Sequence, residues 1–261
     1  MLAELLEVAP SGVEEVAEPD GARGVVEYAI YGAAGELPDI GLVEATAGDA
    51  LVEVTTDELP DDWQERWKRF YFPVLVAGKL YVRPPWERAA ERGGVEEVVI
   101  DPGGAFGTGT HPTTRMCLEL MLEVGSGRGR SFCDLGCGSG VLAIAAVRLG
   151  FEPVLAVDAD QAAISEADRN ARANGVVIEL RRMDLRRESA PVADVVTANL
   201  TAPLLEGVAR TWAAADKRPG LLIASGVLRE QADAVAAAIA EAGLTQQKRL
   251  AFGDWIAILG S

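Results

Sequence analysis

From Val95 onward, short apolar runs alternate with longer segments in which apolar residues recur every three or four positions. The short runs are typical of buried strands, and the longer segments are typical of amphipathic helices. We predict strands at 97–100, 130–134, 153–157, 177–182, 193–198 and 221–225. We predict helices at 113–124, 141–149, 161–174, 202–214 and 229–242. Strands that alternate with helices in this way form a parallel sheet covered by helices on both faces.

The end of the chain has a different pattern. Two strand-like runs, 245–251 and 255–259, are separated by only three residues, which is too short for a crossover helix. We therefore predict an antiparallel hairpin at the sheet edge. The predicted fold class for residues 95–261 is α/β, with a mostly parallel seven-stranded sheet that ends in an antiparallel hairpin.

The first part of the chain has shorter elements. Alternating apolar runs at 2–8, 25–31 and 51–55 predict strands, bounded by Gly, Pro and Asp. A weak helical pattern lies near 13–17. Together these elements predict a small α+β domain over residues 1–58.

Residues 59–94 are predicted to form a connector between the two regions. Trp63, Trp67 and Phe70 follow one another at spacings of four and three, so they share one face of a short helix. A strand-like run follows at 74–82. Core packing is the expected role of the aromatic residues.

The negative charge of the chain is concentrated in its first quarter. Residues 1–65 contain 17 acidic residues and one basic residue, whereas the remaining residues contain 23 of each. Such a field repels phosphate backbones and attracts cations, so the expected partner is a basic protein, with no direct nucleic-acid contact. A solvated acidic face is the alternative interpretation.

Composition excludes several other classes of protein. No run of about 18 uncharged apolar residues is present, and the first residues lack the basic and apolar segments of a signal peptide. We expect a cytoplasmic protein without a membrane partner. The chain contains one histidine and three cysteines, Cys117, Cys133 and Cys137, which form no CxxC pair. We therefore predict buried thiols and no metal site.

The segment SFCDLGCGSG, residues 131–140, is an apolar strand that opens through three glycines into the next helix. Glycines allow a sharp turn and the close approach of a ligand, and the first amides of a helix attract a carboxylate. The dinucleotide fingerprint GxGxxG is incomplete because Val141 stands where its third glycine belongs. Asp134 can instead accept hydrogen bonds from an amino-acid ammonium group. We predict that Asp134, Gly136 and Gly138 bind the cofactor.

Two further carboxylates follow the next two predicted strands. Asp158 stands twenty residues after Gly138, where it can accept both hydroxyls of a ribose. Asp184 follows the third strand, where it could accept the amino group of adenine. Either carboxylate alone could be a surface loop or a helix cap. An ammonium group, a ribose and an adenine occur together in S-adenosylmethionine, which is therefore the predicted cofactor.

A second candidate segment is DPGGAFGTGTHPTT, residues 101–114. Its glycines and threonines predict a flexible loop that folds over the ligand, with Phe106 near the adenosine or the methyl group. We interpret His111 as a polar contact in the site rather than a proton acceptor. Thr113 or Thr114 could simply cap the following helix.

The third candidate is Asn199, which directly follows a predicted strand. In a doubly wound sheet this strand end faces the same crevice as the glycine loop. The Asn199 carbonyl could accept from a substrate nitrogen and orient its lone pair. Its alternative role is to cap the next helix, for which Thr201 is equally suited.

In combination, DPGGAFGTGTHPTT, DLGCGSGVLAIAA and ANL, followed by the terminal hairpin, resemble the ribosomal protein L11 methyltransferase family. The resemblance covers about residues 62–261. It implies a Rossmann-like class I methyltransferase domain preceded by a small ferredoxin-like domain that recruits the substrate.

The resemblance also implies site residues. It places cofactor contacts at Thr114, Gly136, Asp158 and Asn199. Thr108 and Gly109, within the threonine-rich loop, join the predicted cofactor site. Asn199, His111 and Phe106 are the predicted catalytic residues.

The function that the resemblance implies is N-methylation of lysine side chains, N-terminal amines or both in ribosomal protein L11, with S-adenosylmethionine as the cofactor. The alternatives are a methyltransferase for lysine in another protein and an RNA methyltransferase. An RNA enzyme would need a basic groove, for which only Arg181, Arg182, Arg186 and Arg187 offer a local cluster. Outside this chemistry, an NAD-dependent oxidoreductase and a non-catalytic adenosine-binding module remain open.

Overall fold

The computed structural model of the chain describes the backbone of Glu14–Val16 and Glu27–Ala29 and all atoms of residues 71–89, 93–102 and 109–261. The chain divides into two compact units, Met1–Arg66 and Trp67–Ser261. No helix among the described residues is long and apolar enough to cross a membrane.

The described part of the first unit is a pair of antiparallel strands, β1 (Glu14–Val16) and β2 (Glu27–Ala29). The strand predicted at 25–31 is therefore confirmed over residues 27–29. The helix predicted at 13–17 is wrong, because five residues gain too little from helix formation to compete with pairing against a neighbouring strand. The strands predicted at 2–8 and 51–55, and the helix with the aromatic stripe, lie outside the described residues.

The second unit begins with a three-stranded sheet made of β3 (Val74–Val76), β4 (Leu80–Arg83) and β5 (Glu96–Val99). The single strand predicted at 74–82 is wrong, because the chain reverses at Ala77 and Gly78, which both have positive φ. β4 pairs antiparallel with β3 and parallel with β5. The strand predicted at 97–100 therefore belongs to this small sheet.

The large sheet has seven strands, of which five are parallel. These are β6 (Phe132–Leu135), β7 (Val154–Asp158), β8 (Glu179–Arg182), β9 (Val195–Asn199) and β10 (Leu221–Leu228). The terminal strands β11 (Gln246–Phe252) and β12 (Trp255–Gly260) form the predicted hairpin. The order across the sheet is β11-β12-β10-β9-β6-β7-β8, with β12 antiparallel to β10. The predicted α/β sheet with an antiparallel edge is confirmed.

Among the described residues, five helices accompany the large sheet, in agreement with the prediction. They are α1 (Pro112–Val124), α2 (Val141–Arg148), α3 (Gln161–Ala173), α4 (Ala202–Ala215) and α5 (Ala232–Glu241). The last helix was predicted to begin at 229, but a 3-10 turn, Arg229–Gln231, precedes it. The 3-10 turn directly follows β10, which extends to Leu228 because β12 pairs with it there.

The sheet is buried between two apolar layers. One layer contains α1, α2, α3 and the small sheet, and includes Met121, Ile144 and Val98. The other contains α4 and α5, and includes Trp212 and Val235. All four residues of β6 are buried, as expected of a central parallel strand covered on both faces. β6 lies between β7 and β9, where the strand order reverses. In open α/β sheets this reversal opens a crevice at the carboxyl ends of the strands.

Trp212 tests the packing of the α4 layer. Its ring is 1% exposed, and its Nε1–H donates to the carbonyl of Ala190 at 3.0 Å. We expect Trp212→Ala to lower the free energy of unfolding by about 3–5 kcal/mol through the cavity it creates. Trp212→Phe should lower it by about 1–3 kcal/mol, because a buried carbonyl loses its donor. Urea denaturation measures both, and an unchanged free energy of unfolding in Trp212→Phe would contradict a contribution of the hydrogen bond.

Candidate functional site

The parallel pairing brings three candidate residues to one level of the sheet. The last residue of β6 pairs with Val157 of β7 and with Ala198 of β9. The residues that follow these three are Gly136, Asp158 and Asn199. They therefore stand side by side at the carboxyl edge, where the strand order reverses. The sequence predicted this convergence from the order of its strands.

The glycine loop turns directly above this edge. Gly136 has a φ of 74°, and a Cβ on it would lie 2.4 Å from Cδ2 of Leu200, so only glycine fits there. The amides of Gly136 and Cys137 both donate to the carbonyl of Val157 at the end of β7. The loop is thus held by the neighbouring strand, and it leads into α2 through Gly140, the N-cap, in a left-handed conformation.

Asp158 is bonded to this loop. Its Oδ2 accepts from the amide of Gly138 at 3.0 Å, and its Oδ1 accepts from the amide of Asp160 at 3.0 Å. The side chain is half-buried. These two bonds fix the carboxylate at the mouth of the crevice, where a ligand with hydroxyl donors could share its oxygens.

The carboxyl group of Asp134, in β6, is buried and lacks a full set of hydrogen-bond partners among the described residues. It is 0% exposed, and its Oδ1 accepts from the hydroxyl of Thr197 at 2.7 Å. Within the described part of the chain, no group donates a hydrogen bond to its Oδ2. Burial raises the pKa of Asp134 to about 7, with a smaller contribution from the charge of Asp158 and partial compensation by Thr197 and the amide of Ala143. A buried, incompletely bonded carboxylate beside a second carboxylate favours a cation.

Asn199 is held by the first turn of α1. Its Nδ2 donates to the hydroxyls of Thr113 at 3.2 Å and Thr114 at 3.4 Å. Both threonines are buried. Because the amide nitrogen is engaged in this way, the side-chain carbonyl of Asn199 is the atom that can accept from a ligand. Asn199 is the last residue of β9 and pairs with Ser225, so it does not cap α4, whose N-cap is Thr201.

His111 caps α1, which corrects the assignment of this role to Thr113 or Thr114. Its Nδ1 accepts from the amide of Thr113 at 3.3 Å and lies 2.7 Å from the Thr113 hydroxyl. Burial lowers the pKa of His111 to about 4, so the ring is neutral at pH 7. The ring also contacts Trp255 edge-on, with centroids 5.2 Å apart. Hydrogen bonds thus run from Asn199 through Thr113 to His111.

Asp184 lies farther along the same edge, after β8. Its Oδ1 accepts from the amide of Arg186 at 3.0 Å, and its Oδ2 lies 3.5 Å from Nε of Arg187. A cavity of about 440 Å³ adjoins it, lined by Ala159, Arg182, Met183, Asp184, Arg187 and Glu188. Because Ala159 directly follows Asp158, this cavity lies next to the carboxyl end of β7.

The threonine-rich loop is described only at its two ends. Phe106 and Thr108 lie outside the described residues. Gly109 is buried, has a φ of 87°, and approaches Val82 so closely that a Cβ would lie 2.7 Å from Cγ1. This contact joins the end of the loop to the small sheet, two residues before His111.

Sequence reasoning missed three neighbours of the site. Thr197 is the one hydroxyl residue within buried β9, and this interruption of an apolar strand was a signal that could have identified it. Leu200 covers Gly136, and Trp255 contacts His111. Leu200 directly follows Asn199 but lies more than sixty residues after Gly136, and Trp255 lies in the terminal hairpin, so neither contact could be read from a local pattern. The three cysteines are free and buried as predicted, and burial raises the pKa of Cys137 in the glycine loop.

Comparison with known proteins gives one consistent family. Residues 37–261 match the family model described as ribosomal protein L11 methyltransferase (PrmA). A protein of that name from Heliobacterium modesticaldum is 39% identical over 206 residues, which are 78% of this chain and 65% of the relative. One from Pelotomaculum thermopropionicum is 39% identical over 219 residues, covering 83% of this chain and 71% of the relative. The chain therefore spans about two thirds of the length of these relatives.

A solved structure agrees with these sequence matches. The crystal structure of a ribosomal protein L11 methylase from Lactobacillus delbrueckii subsp. bulgaricus superposes with a TM-score of 0.65 at 30% identity. The superposition covers 73% of this chain and 98% of that one. The fold described above is therefore shared with that enzyme over most of the second unit.

Asp134 makes the stability of the protein depend on pH in an unusual direction. Because the folded protein holds this proton up to about pH 7 and the unfolded chain loses it near about pH 4, stability decreases as pH rises between these values. At pH 8, Asp134→Asn should raise the free energy of unfolding by about 1–3 kcal/mol, since a buried unpaired amide costs less than a buried carboxylate.

Urea denaturation of the parent and Asp134→Asn proteins at pH 5 and pH 8 measures this difference. The advantage of the variant should disappear at pH 5, where the parent carboxyl is protonated. A difference that stays constant between the two pH values would contradict the raised pKa. The comparison of the two proteins cancels the titration of all groups that do not interact with residue 134.

Proposed function

Because the chain belongs to the ribosomal protein L11 methyltransferase family, we propose that it is an S-adenosylmethionine-dependent protein methyltransferase. The main support for the proposal is that Gly136, Asp158 and Asn199 stand side by side at the carboxyl edge of the sheet, near the buried carboxylate of Asp134. The family resemblance predicted from the sequence motifs is confirmed.

The charges of the site fit a cationic cofactor. None of the ion pairs among the described residues involves Asp134 or Asp158. S-adenosylmethionine carries an ammonium and a sulfonium group, which would compensate these two carboxylates. Its carboxylate suits the glycine loop and the first amides of α2, which begin at Val141. Gly136 and Gly138 both have positive φ, which glycine adopts without strain, so the loop can turn tightly at that approach.

The remaining cofactor groups fit the edge of the sheet. We assign the ribose hydroxyls to Asp158, which is half-buried beside Gly138, and the adenine to the cavity next to Asp184. Thr114 acts on the site through its hydrogen bond to Asn199. Phe106, Thr108 and Gly109 complete the assignment, and the roles of these three residues rest on the sequence motif DPGGAFGTGTHPTT.

The cofactor supplies a methyl group already activated by the sulfonium, so the chain mainly has to place an amine in line with it. Asn199 would accept one N–H of the amine and so direct its lone pair. A lysine, with a pKa of about 10.4 in water, must first lose a proton to solvent water, and a desolvated cationic site favours this loss. His111 is bonded to Thr113 and has a lowered pKa, so it positions Thr113 and Asn199 and is a poor proton acceptor at neutral pH.

We propose ribosomal protein L11 as the substrate, because the relatives in this family are named for it. This is a cytoplasmic reaction on a basic protein. The excess negative charge of residues 1–65 complements such a substrate, and we assign substrate recruitment to residues 1–58. Residues 59–94 would then connect this domain to the methyltransferase domain, 95–261.

The arginine cluster gives little support to an RNA substrate. Arg181 pairs with Glu179 at 2.6 Å, and Arg187 lies 3.5 Å from Asp184. Nε of Arg182 donates to the carbonyl of Ala159 at 3.0 Å. These contacts direct three of the four guanidinium groups toward protein acceptors rather than leaving them to phosphates.

The substrate class can be tested by labelling. The protein is incubated with labelled S-adenosylmethionine and a lysate from cells that lack the enzyme, and the labelled molecule is identified by mass spectrometry. We expect one small basic protein, ribosomal protein L11, to carry label on amine nitrogens. Label in RNA alone, or in no macromolecule, would overturn the proposal.

Two substitutions should separate cofactor binding from catalysis. Asp158→Ala should raise the cofactor Kd by about tenfold or more, because it removes both ribose acceptors and the bond to Gly138. Asn199→Ala should lower kcat by about tenfold or more, with less than about a threefold change in cofactor Kd.

Isothermal titration with S-adenosylhomocysteine gives Kd, and initial rates at saturating cofactor give kcat. Asp233→Asn, which removes an exposed carboxylate on α5, serves as the control and should change neither value. Equal losses of affinity and turnover in Asn199→Ala would refute the role assigned to Asn199.

A further inference from the structure

Two buried asparagines on α3 bond to the backbone of another element. Asn174 follows the last residue of α3, accepts from the amide of Val99 at 2.8 Å, and donates to the carbonyl of Val99 at 2.6 Å. Asn170 does the same with Asp101, accepting from its amide at 3.0 Å and donating to its carbonyl at 3.3 Å. Each side-chain amide thus imitates a peptide group of a neighbouring strand.

The spacing of the two asparagines explains this match. Residues four apart on a helix are separated by about 6 Å along its axis. Residues two apart on a strand are separated by about 6.6 Å. Asn170 and Asn174 can therefore bond to Asp101 and Val99 together, with the helix running against the direction of the strand. The outer edge of β5, opposite β4, is covered in this way.

The second amide proton distinguishes the two asparagines: Asn174 donates it to the backbone carbonyl of Asn170 at 2.8 Å, whereas Asn170 donates it to the glycine loop. The acceptor in the loop is the carbonyl of Ser139, at 2.9 Å from Nδ2 of Asn170. Asn170 is 2% exposed, and its two amide protons are both used. One side chain therefore joins the glycine loop to Asp101, the first residue of the motif DPGGAFGTGTHPTT.

The contact acts on the shape of the loop. Because a peptide unit is planar, holding the carbonyl of Ser139 also fixes the amide of Gly140. That amide donates to the carbonyl of Cys137 at 2.8 Å and closes the turn above β6. On its other side Gly140 packs against Ala167 of α3, where an added Cβ would lie 3.0 Å from the alanine Cβ. The last turn of the loop before α2 is thus set by α3.

We propose that Asn170 is a positioning residue for the cofactor, which holds the glycine loop and the start of the threonine-rich motif at a set distance from one another. The inference rests on the proposed function. Asparagine is the side chain that fits, because the position needs one acceptor and two donors on a short stem. Aspartate would lack the donors, and leucine would leave three backbone groups unpaired.

Asn174 provides a matched control, because it makes the same pair of bonds to β5 without touching the glycine loop. Asn170→Ala and Asn174→Ala should lower Tm by similar amounts. Asn170→Ala should raise the Kd for S-adenosylhomocysteine by tenfold or more, whereas Asn174→Ala should change it less than twofold. Asn170→Ser, which keeps one hydroxyl for the loop carbonyl, should fall between Asn170→Ala and the parent and serves if Asn170→Ala does not fold.

Steady-state rates supply a second readout. For Asn170→Ala we expect a raised KM for the cofactor with a smaller change in kcat and in KM for the protein substrate. Equal changes of cofactor Kd in the variants of Asn170 and Asn174 would overturn the positioning role. Absence of cofactor binding by the parent protein would instead overturn the proposed function itself, so the two failures are distinguishable.

Discussion

The hydrogen-bonded register of β6 with β7 and β9 is the constraint on which the site depends. It places Gly136, Asp158 and Asn199 at one level, although the chain separates them by more than sixty residues in total. Successive side chains of a strand point to opposite faces, so a slip of one residue would move Asn199 away from α1. The buried side chains of β6 and β9 oppose such a slip, because both faces of these strands are packed and a shift would separate Asp134 from the hydroxyl of Thr197. Core packing therefore sets the geometry of the polar site.

One of these strands, β6, also contains a buried carboxyl group that lowers the stability of the protein. Asp134 lies where the pattern of β6 favours an apolar side chain, and its burial raises its pKa to about 7. The rise from 3.8 corresponds to roughly 4 kcal/mol of lost stability above pH 7. Unpaired carboxylates are rare in protein cores. A ligand that supplies the missing positive charge would explain why this buried carboxylate is retained. In the proposed function, the carboxylate that lowers stability is also the one that binds the cationic cofactor.

On the other side of the crevice, neutral groups determine the geometry. Asn199, Thr113 and His111 form a chain of hydrogen bonds that ends against the ring of Trp255. None of these side chains carries a charge at pH 7, since burial keeps His111 unprotonated. In the proposed function, this uncharged chain would orient the substrate amine without placing a further charge beside the cofactor. α3 supports the opposite wall through Asn170, so each wall is held by a helix that begins or ends near the crevice.

Sequence periodicity by itself determined the order of strands and helices, the terminal hairpin and the glycine loop, because these depend on patterns within about twenty residues. The order of the strands also implied that their carboxyl ends meet, since parallel α/β sheets follow few topologies. The helix at 13–17 and the single strand at 74–82 were wrong, because short segments take the structure that their neighbours impose. Only tertiary structure decided that His111 caps α1, that Asp134 is buried without a full set of partners, and that Asn170 reaches both Asp101 and Ser139. These contacts join residues that are distant along the chain or depend on burial, and local patterns of hydrophobicity contain neither kind of information.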